Sequence, residues 1–321
     1  MTQIRNLFFI AFLSAISSNA QPCKELLLAV KANNQEKVES LLQSINPNCY
    51  YESDIQPRTP LGMAARNGNF SIGKLLIENG AKTSYRYDYD ATALMISCKN
   101  GHYEFSKYLI ESGANINAKI TGDGTPLMSA VKGGNIEIVR LLLKKGANPN
   151  QGVIGDGNAI LLASESDNID ILKLLITYSG DINKKTLGDG TALIRATNKG
   201  NLVMVKAIVK LGADVNKASD GDGNPLIMAA KNGHIEIVKF LVESGANVNA
   251  FVPGDETPLI RAAWSGHLDI VKYLVEKGAD VNKSVRDKFS LRSEKRSPLK
   301  MAKRENHTEV VDFLISKGAT N

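Results

Sequence analysis

Four histidines are the scarcest groups in this chain able to ligate a metal or carry a proton: His102, His234, His267 and His307. All four hold one place, directly after Gly101, Gly233, Gly266 and Asn306. Such a ladder invites a metal reading. Equivalent residues on neighbouring packed helices stand about 8–10 Å apart, too far to share one zinc ion. The ladder therefore reads as a structural residue. A second column, Asp123, Asp156, Asp189, Asp222 and Asp255, lies in Gly-Asp-Gly or Gly-Asp-Glu. The run Asp220-Gly221-Asp222-Gly223-Asn224 begins like a calcium loop, but Pro225 falls where that loop needs glycine. Turn chemistry accounts for Gly-Asp-Gly directly, because it supplies positive-φ positions. No G-x-S-x-G, P-loop, dinucleotide fingerprint or HExxH occurs. The expectation is a protein that is not an enzyme and holds no metal and no cofactor.

The elements that carry these columns recur at a fixed 33-residue step, opening at Thr59, Thr92, Thr125, Asn158, Thr191, Asn224 and Thr257. Thr or Asn is a good helix N-cap, and the proline that often follows (Pro60, Pro126, Pro225, Pro258) sits where a missing N–H does no harm. A short helix of about two turns then ends near a glycine that lets the chain reverse. Asp167 and Asn306 replace that glycine in two units and tolerate the same region. The second helix places apolar residues at i, i+3 and i+4, as in Ile136, Val139, Leu142 and Leu143. One such unit cannot bury this much apolar surface alone, so neighbours must stack.

The clearest copy, residues 257–282, reads TPLIRAAWSGHLDIVKYLVEKGADVN, and 125–150 and 224–249 are close variants. This phrase at this period resembles the ankyrin repeat. The resemblance covers nearly the whole chain after residue 20. It implies an all-α solenoid of stacked helix-turn-helix units with β-hairpin fingers. The expected organisation is a signal peptide at 1–20 and an ankyrin-repeat domain at 21–321. Within that domain an N-terminal cap spans about 23–58, and repeats start at 59, 92, 125, 158, 191, 224 and 257. A C-terminal cap follows at 297–321, where Lys300, Lys303 and Arg304 replace apolar or small residues, as a water-facing end requires. By the resemblance, Asn117, Asn150, Asn183, Asn216, Asn249 and Asn282 link adjacent fingers, and the histidines are a common consensus residue.

Residues 1–20 combine a basic start, an apolar run over Asn6–Ser18 and small residues before Gln21, the layout of a cleavable secretory leader. That run is short for a membrane span. The expected product is exported, periplasmic or secreted, with no transmembrane segment. Cys98 occupies the place held by Ala65, Ala230 and Ala263 and reads as inert core. Cys23 and Cys49 flank the cap's two helices, and export meets oxidising conditions, so a Cys23–Cys49 bridge is expected. The net charge of +6, less the one carried by Arg5, is mild and argues against a nucleic-acid partner.

The resemblance places partners in a concave groove formed by the finger tips and the exposed side of the first helices. Two residues before the inter-helix glycine stand Lys31, Arg66, Lys99, Lys132, Glu165, Asn198, Lys231, Trp264 and Arg304, six of the nine basic. Arg195 and Arg261 extend that face. One sign along one wall favours a protein partner with an acidic patch, against a merely solvated helix surface. Five of nine tyrosines crowd two fingers: Tyr50, Tyr51, Tyr85, Tyr87 and Tyr89. They suit a binding loop of rigid anchors, or else pack on one another. The step from Thr257 to Ser297 is 40 residues, and the longer finger KSVRDKFSLRSEKR carries six basic and two acidic residues. It reads as an acidic-partner contact or as a flexible insertion. The partner-binding candidates are thus Arg66, Lys99, Lys132, Arg195, Lys231, Arg261, Trp264, Tyr85, Tyr87 and Tyr89. The role they serve is open: inhibitor or immunity factor, accessory protein, or host-directed factor. An alternative of another class is a surface-associated structural protein that binds anionic polymer or lipid.

Overall fold

A computed structural model describes residues 21–52, 58–88, 90–166, 168–186, 190–219, 223–252, 256–286 and 295–320. The leader expected at 1–20, Tyr89, Asp167, Asp189, Asp220, Asp222, Asp255 and residues 287–294 of the long finger lie outside them. The described residues form two compact units, Met1–Asp156 and Gly157–Asn321. In the first, α1 covers 21–31. It is followed by α2 (Gln35–Leu42), α3 (Pro60–Asn67), α4 (Phe70–Glu78), α5 (Ala93–Lys99), α6 (Tyr103–Glu111), α7 (Pro126–Lys132) and α8 (Ile136–Lys144). The second holds α9 (Ala159–Glu165), α10 (Ile169–Thr177), α11 (Ala192–Asn198), α12 (Leu202–Lys210), α13 (Pro225–Asn232) and α14 (Ile235–Glu243). It continues with α15 (Pro258–Trp264), α16 (Leu268–Glu276), β1 (Val285–Arg286), β2 (Lys295–Arg296), α17 (Pro298–Arg304) and α18 (Thr308–Ser316).

Local chemistry sets each helix start. Thr59, Thr92, Thr125, Asn158, Thr191, Asn224 and Thr257 each accept, through the side chain, the N–H three residues on. Each satisfies one of the backbone donors that a helix start leaves orphaned, worth about 1 kcal/mol. At the far end Gly68 takes φ 71°, the left-handed conformation a side chain resists, and Asn306 adopts φ 62° in the equivalent place. Within each unit, first helices pack on first helices (α3 on α5, α5 on α7; α9 through α17 in turn) and second helices on second helices. Leu76, Leu109, Leu142, Leu175, Ile208, Leu241, Leu274 and Leu314 form one repeating, fully buried position in the second helices. Tandem helix pairs with little sheet make this an all-α solenoid.

The fingers are less strand-like than the word hairpin suggests. Among the described residues only β1 and β2 pair as strands, Val285 with Arg296 and Arg286 with Lys295, antiparallel. Elsewhere the fingers close through single bridges, Ile120 with Gly124, Thr186 with Gly190 and Ser219 with Gly223. In the first of these, 120–124, four residues of separation leave room for no second pair. Side chains do the linking instead. Asn117 donates Nδ2–H to Gly146 O and accepts the Asn148 N–H at Oδ1. Asn183, Asn216, Asn249 and Asn282 repeat both contacts in the second unit.

The first unit is closed at its end by a disulfide between Cys23 and Cys49, whose Cα atoms are 5.9 Å apart. It ties the start of α1 to the chain after α2 across a sequence separation of 26. A loop of that size implies about 3 kcal/mol of stabilisation, chiefly through the unfolded chain. Cys49→Ser should therefore lower the urea midpoint by the corresponding amount, and reductant should reproduce the shift in the native chain but not in the variant. A midpoint indifferent to both would mean the bond is not formed. Cys98 is a free, buried thiol that burial pushes up to about 12. It should resist alkylation until the chain unfolds.

Candidate functional site

In the first unit the last turns of α3, α5 and α7 carry Arg66, Lys99 and Lys132. Cations suit helix C-termini, where the aligned carbonyls present partial negative charge. All three line one depression of about 380 Å³, together with Ala91, Ile96, Asp90 and Asp123. The helices that hold the lysines touch through backbone. A side chain on Gly133 would bring its Cβ within 2.3 Å of Lys99 O, so only glycine lets the ends of α5 and α7 meet so closely.

The acids are not equivalent. Asp90 is buried and committed, with Oδ1 3.1 Å from Arg58 Nη1 and Oδ2 accepting the Arg58 N–H at 3.2 Å. Asp156 Oδ2 accepts the Gly122 N–H at 2.8 Å, joining one finger to the next. Asp123 lines the depression itself. Burial, first, raises its carboxyl above the ordinary range; Asp156 and Asp90 push the same way, and Lys132 and Lys99 oppose them. Lys99 and Lys132 are exposed, and among the described residues neither enters an ion pair.

The second unit treats its cations differently. Arg195 Nη1 lies 3.3 Å from Glu165 Oε1. Arg261 Nε is 2.7 Å from Oε2 of Glu256, a carboxylate only 1% exposed. The two atoms are out of line for a hydrogen bond, so this contact is electrostatic. Arg296 from β2 pairs with the other Glu256 oxygen. Trp264 is half-buried against Ile260, Val285 and Met301. The guanidinium groups of Arg261, Arg296 and Arg304 lie 5.4, 5.5 and 5.8 Å from its ring centre, and its indole N–H donates to Glu305. Lys231 forms no ion pair among the described residues.

The tyrosines of the fingers engage one another. Tyr50 and Tyr87 have ring centroids 4.2 Å apart, Tyr87 Oη–H donates to Glu52, and Arg58 lies over the Tyr87 ring. Lys24 covers Tyr51. Tyr85 is partly buried beside them, its phenol pushed up first by burial and then by Tyr50. Each histidine ring packs on the glycine of the preceding repeat. His102, His267 and His307 also donate Nε2–H to Arg66 O, Lys231 O and Trp264 O. Among the described residues no three His, Cys, Asp or Glu side chains are grouped to hold a metal.

Sequence reasoning missed three residues that shape these surfaces. Asp90 stands 33 before Asp123 and could have been added to that column by register. Glu256 replaces the glycine at 124, 190 and 223, and a carboxylate in place of a turn glycine is itself a signal. Arg296 lay in the long basic finger that the sequence singled out, but its pairing with Glu256, 40 residues away, had no signal of its own.

A family model described as ankyrin repeats (3 copies) matches the chain in overlapping blocks at 26–120, 85–153, 118–186, 160–252, 193–285 and 255–321. Among curated proteins none matches the chain. Among the described residues no helix is long and apolar enough to cross a membrane.

Proposed function

The chain belongs to the ankyrin-repeat family, and we propose that it is a non-enzymatic interaction module that binds an acidic partner protein through the ends of its first helices and its fingers. The observation that carries this reading is the set of exposed lysines Lys99, Lys132 and Lys231. They share one column of the repeat, and among the described residues none is neutralised by an ion pair. A fold that has to supply its own stability gains little from such lysines; a partner that brings carboxylates gains both steering and register. Within the second unit, Arg195, Arg261 and Trp264 serve in this reading as rigid companions of Lys231, held by Glu165, Glu256 and Glu305. The module works outside the cytosol, which the leader-like residues 1–20 and the Cys23–Cys49 bond both favour.

Affinity capture from the native source tests it, using the full chain beside a variant with Lys99, Lys132 and Lys231 changed to alanine. Exposed lysines are cheap to remove, within about 0.5 kcal/mol of stability each, so a folded variant is expected. A protein retained by the native chain and lost by the variant is the expected result. Equal recovery by both would remove these lysines from the interface.

A further inference from the structure

We infer that the depression between Lys99 and Lys132 in the first unit is a seat for one carboxylate side chain, presented by an extended acidic segment of a partner protein. This rests on the protein-binding reading above and narrows it to one place and one chemistry.

Three observations converge on it. The seat is preformed: backbone contact between Lys99 and Gly133 fixes the ends of α5 and α7, so both lysine stems start from the rim of the same 380 Å³ space. That space has room for one or two side chains. Its charge balance is incomplete. Asp90 is already taken by Arg58, leaving Asp123 as the lining acid against Lys99 and Lys132. Burial disfavours the charged form of Asp123 before any neighbour is counted, so it is a poor counterion for two ammonium groups.

The second unit supplies the contrast. Each of its two groove arginines has an acid provided by the chain itself, Glu165 for Arg195 and Glu256 for Arg261. Lys99 and Lys132 have been given none among the described residues. Lysine is also the suitable cation here. Its compact ammonium on a flexible stem takes a single carboxylate oxygen from several directions, where a guanidinium demands bidentate geometry. The lining is mixed: the half-buried Ile96 and Ala91 share it with the lysines. A segment with an acid followed by a small apolar residue would fill both parts.

A random peptide library displayed on phage and panned on the immobilised full chain provides the probe, and selected peptides are then synthesised and measured by fluorescence anisotropy. The expected winners carry Asp or Glu. Lys99→Ala with Lys132→Ala should weaken them at least about tenfold, the size of effect that removing two close charges gives. Asp123→Asn should tighten them by about threefold, because it removes the repelling carboxylate while keeping the shape. Affinity should fall in about 1 M salt, where charges are screened beyond about 3 Å. Lys231→Ala should leave these peptides unaffected. Winners without a carboxylate, indifference to the two lysines, or weakening by Asp123→Asn would overturn the inference, the last pointing to a cationic partner. Peptides that depend on Lys231 or on the tyrosine fingers instead would overturn it while sparing the protein-binding reading. A library that yields no binder would count against both.

Discussion

Phe105→Ala should lower the stability of the first unit by about 4 kcal/mol, and Gly73→Ala, the addition of one methyl group, by about 2 kcal/mol. Among the described residues Phe105 is the largest fully buried side chain. Its ring from α6 reaches under α4, where a Cβ on Gly73 would fall 2.0 Å from Cζ and 2.6 Å from Cε2. Phe70 of α4 meets the Phe105 ring edge-on at 6.2 Å and itself meets Tyr108 edge-on at 5.5 Å, so Phe105 has an aromatic neighbour as well as Gly73. A glycine inside a helix ordinarily costs about 1 kcal/mol against alanine. Gly73→Ala would therefore stabilise α4 if space were free, and a loss of stability isolates the packing term. The double variant supplies the decisive comparison. Once the ring is gone the methyl group has room, so the two losses should not add, and Gly73→Ala should become neutral or favourable in the Phe105→Ala background. Urea unfolding followed by far-UV circular dichroism measures all four chains. Additive losses would mean that the two residues do not share the space the structure gives them.

Glu256→Ala should cost the second unit about 3 kcal/mol, because it leaves two arginines with their shared counterion removed. The carboxylate is 1% exposed, whereas the Arg261 and Arg296 side chains are 20% and 24% exposed. The guanidinium groups can turn partly to water, which holds the cost near the low end for a broken buried pair. Trp264 is the chain's one tryptophan and stacks with both arginines, so its fluorescence reports this cluster alone. Its emission should shift to the red as the arginines swing away and water reaches the ring. Glu256→Gln keeps the shape and removes only the charge, and should give most of the same loss. A glutamine variant as stable as the native chain would mean that packing, not charge, holds the long finger to α15.

Both predictions concern contacts made between repeats, and they mark the limit of what the sequence reveals. The caps at Thr59 through Thr257, the reversal at Gly68 and the Asn117-type ladder were all legible, because each depends on residue type at a fixed place in the repeat. Gly73 was not. Nothing in FSIGKLLIE says why a helix should contain glycine; the reason is a ring arriving from the next repeat. The tyrosine cluster was legible as a cluster, and both readings of it were open. The structure shows Tyr50 against Tyr87 and Lys24 over Tyr51, engagement within the chain that an isolated loop could not have shown.

The candidate surface divides along the same line. A 33-residue step with one cap, one glycine and one apolar pattern determines the fold, since those interactions close within a few residues and recur seven times over. It also determines which column faces outward, and that the column is basic. Which of those cations are spent inside the molecule was decided by tertiary structure alone. Arg58 finds Asp90 across 32 residues and Arg296 finds Glu256 across 40, distances over which no local rule chooses a partner. The lysines of that column and the arginines three residues before it look alike in sequence. They become different when stacking brings an acid to Arg195 and Arg261 and leaves Lys99 and Lys132 beside a half-buried Asp123 and an Asp90 already paired with Arg58.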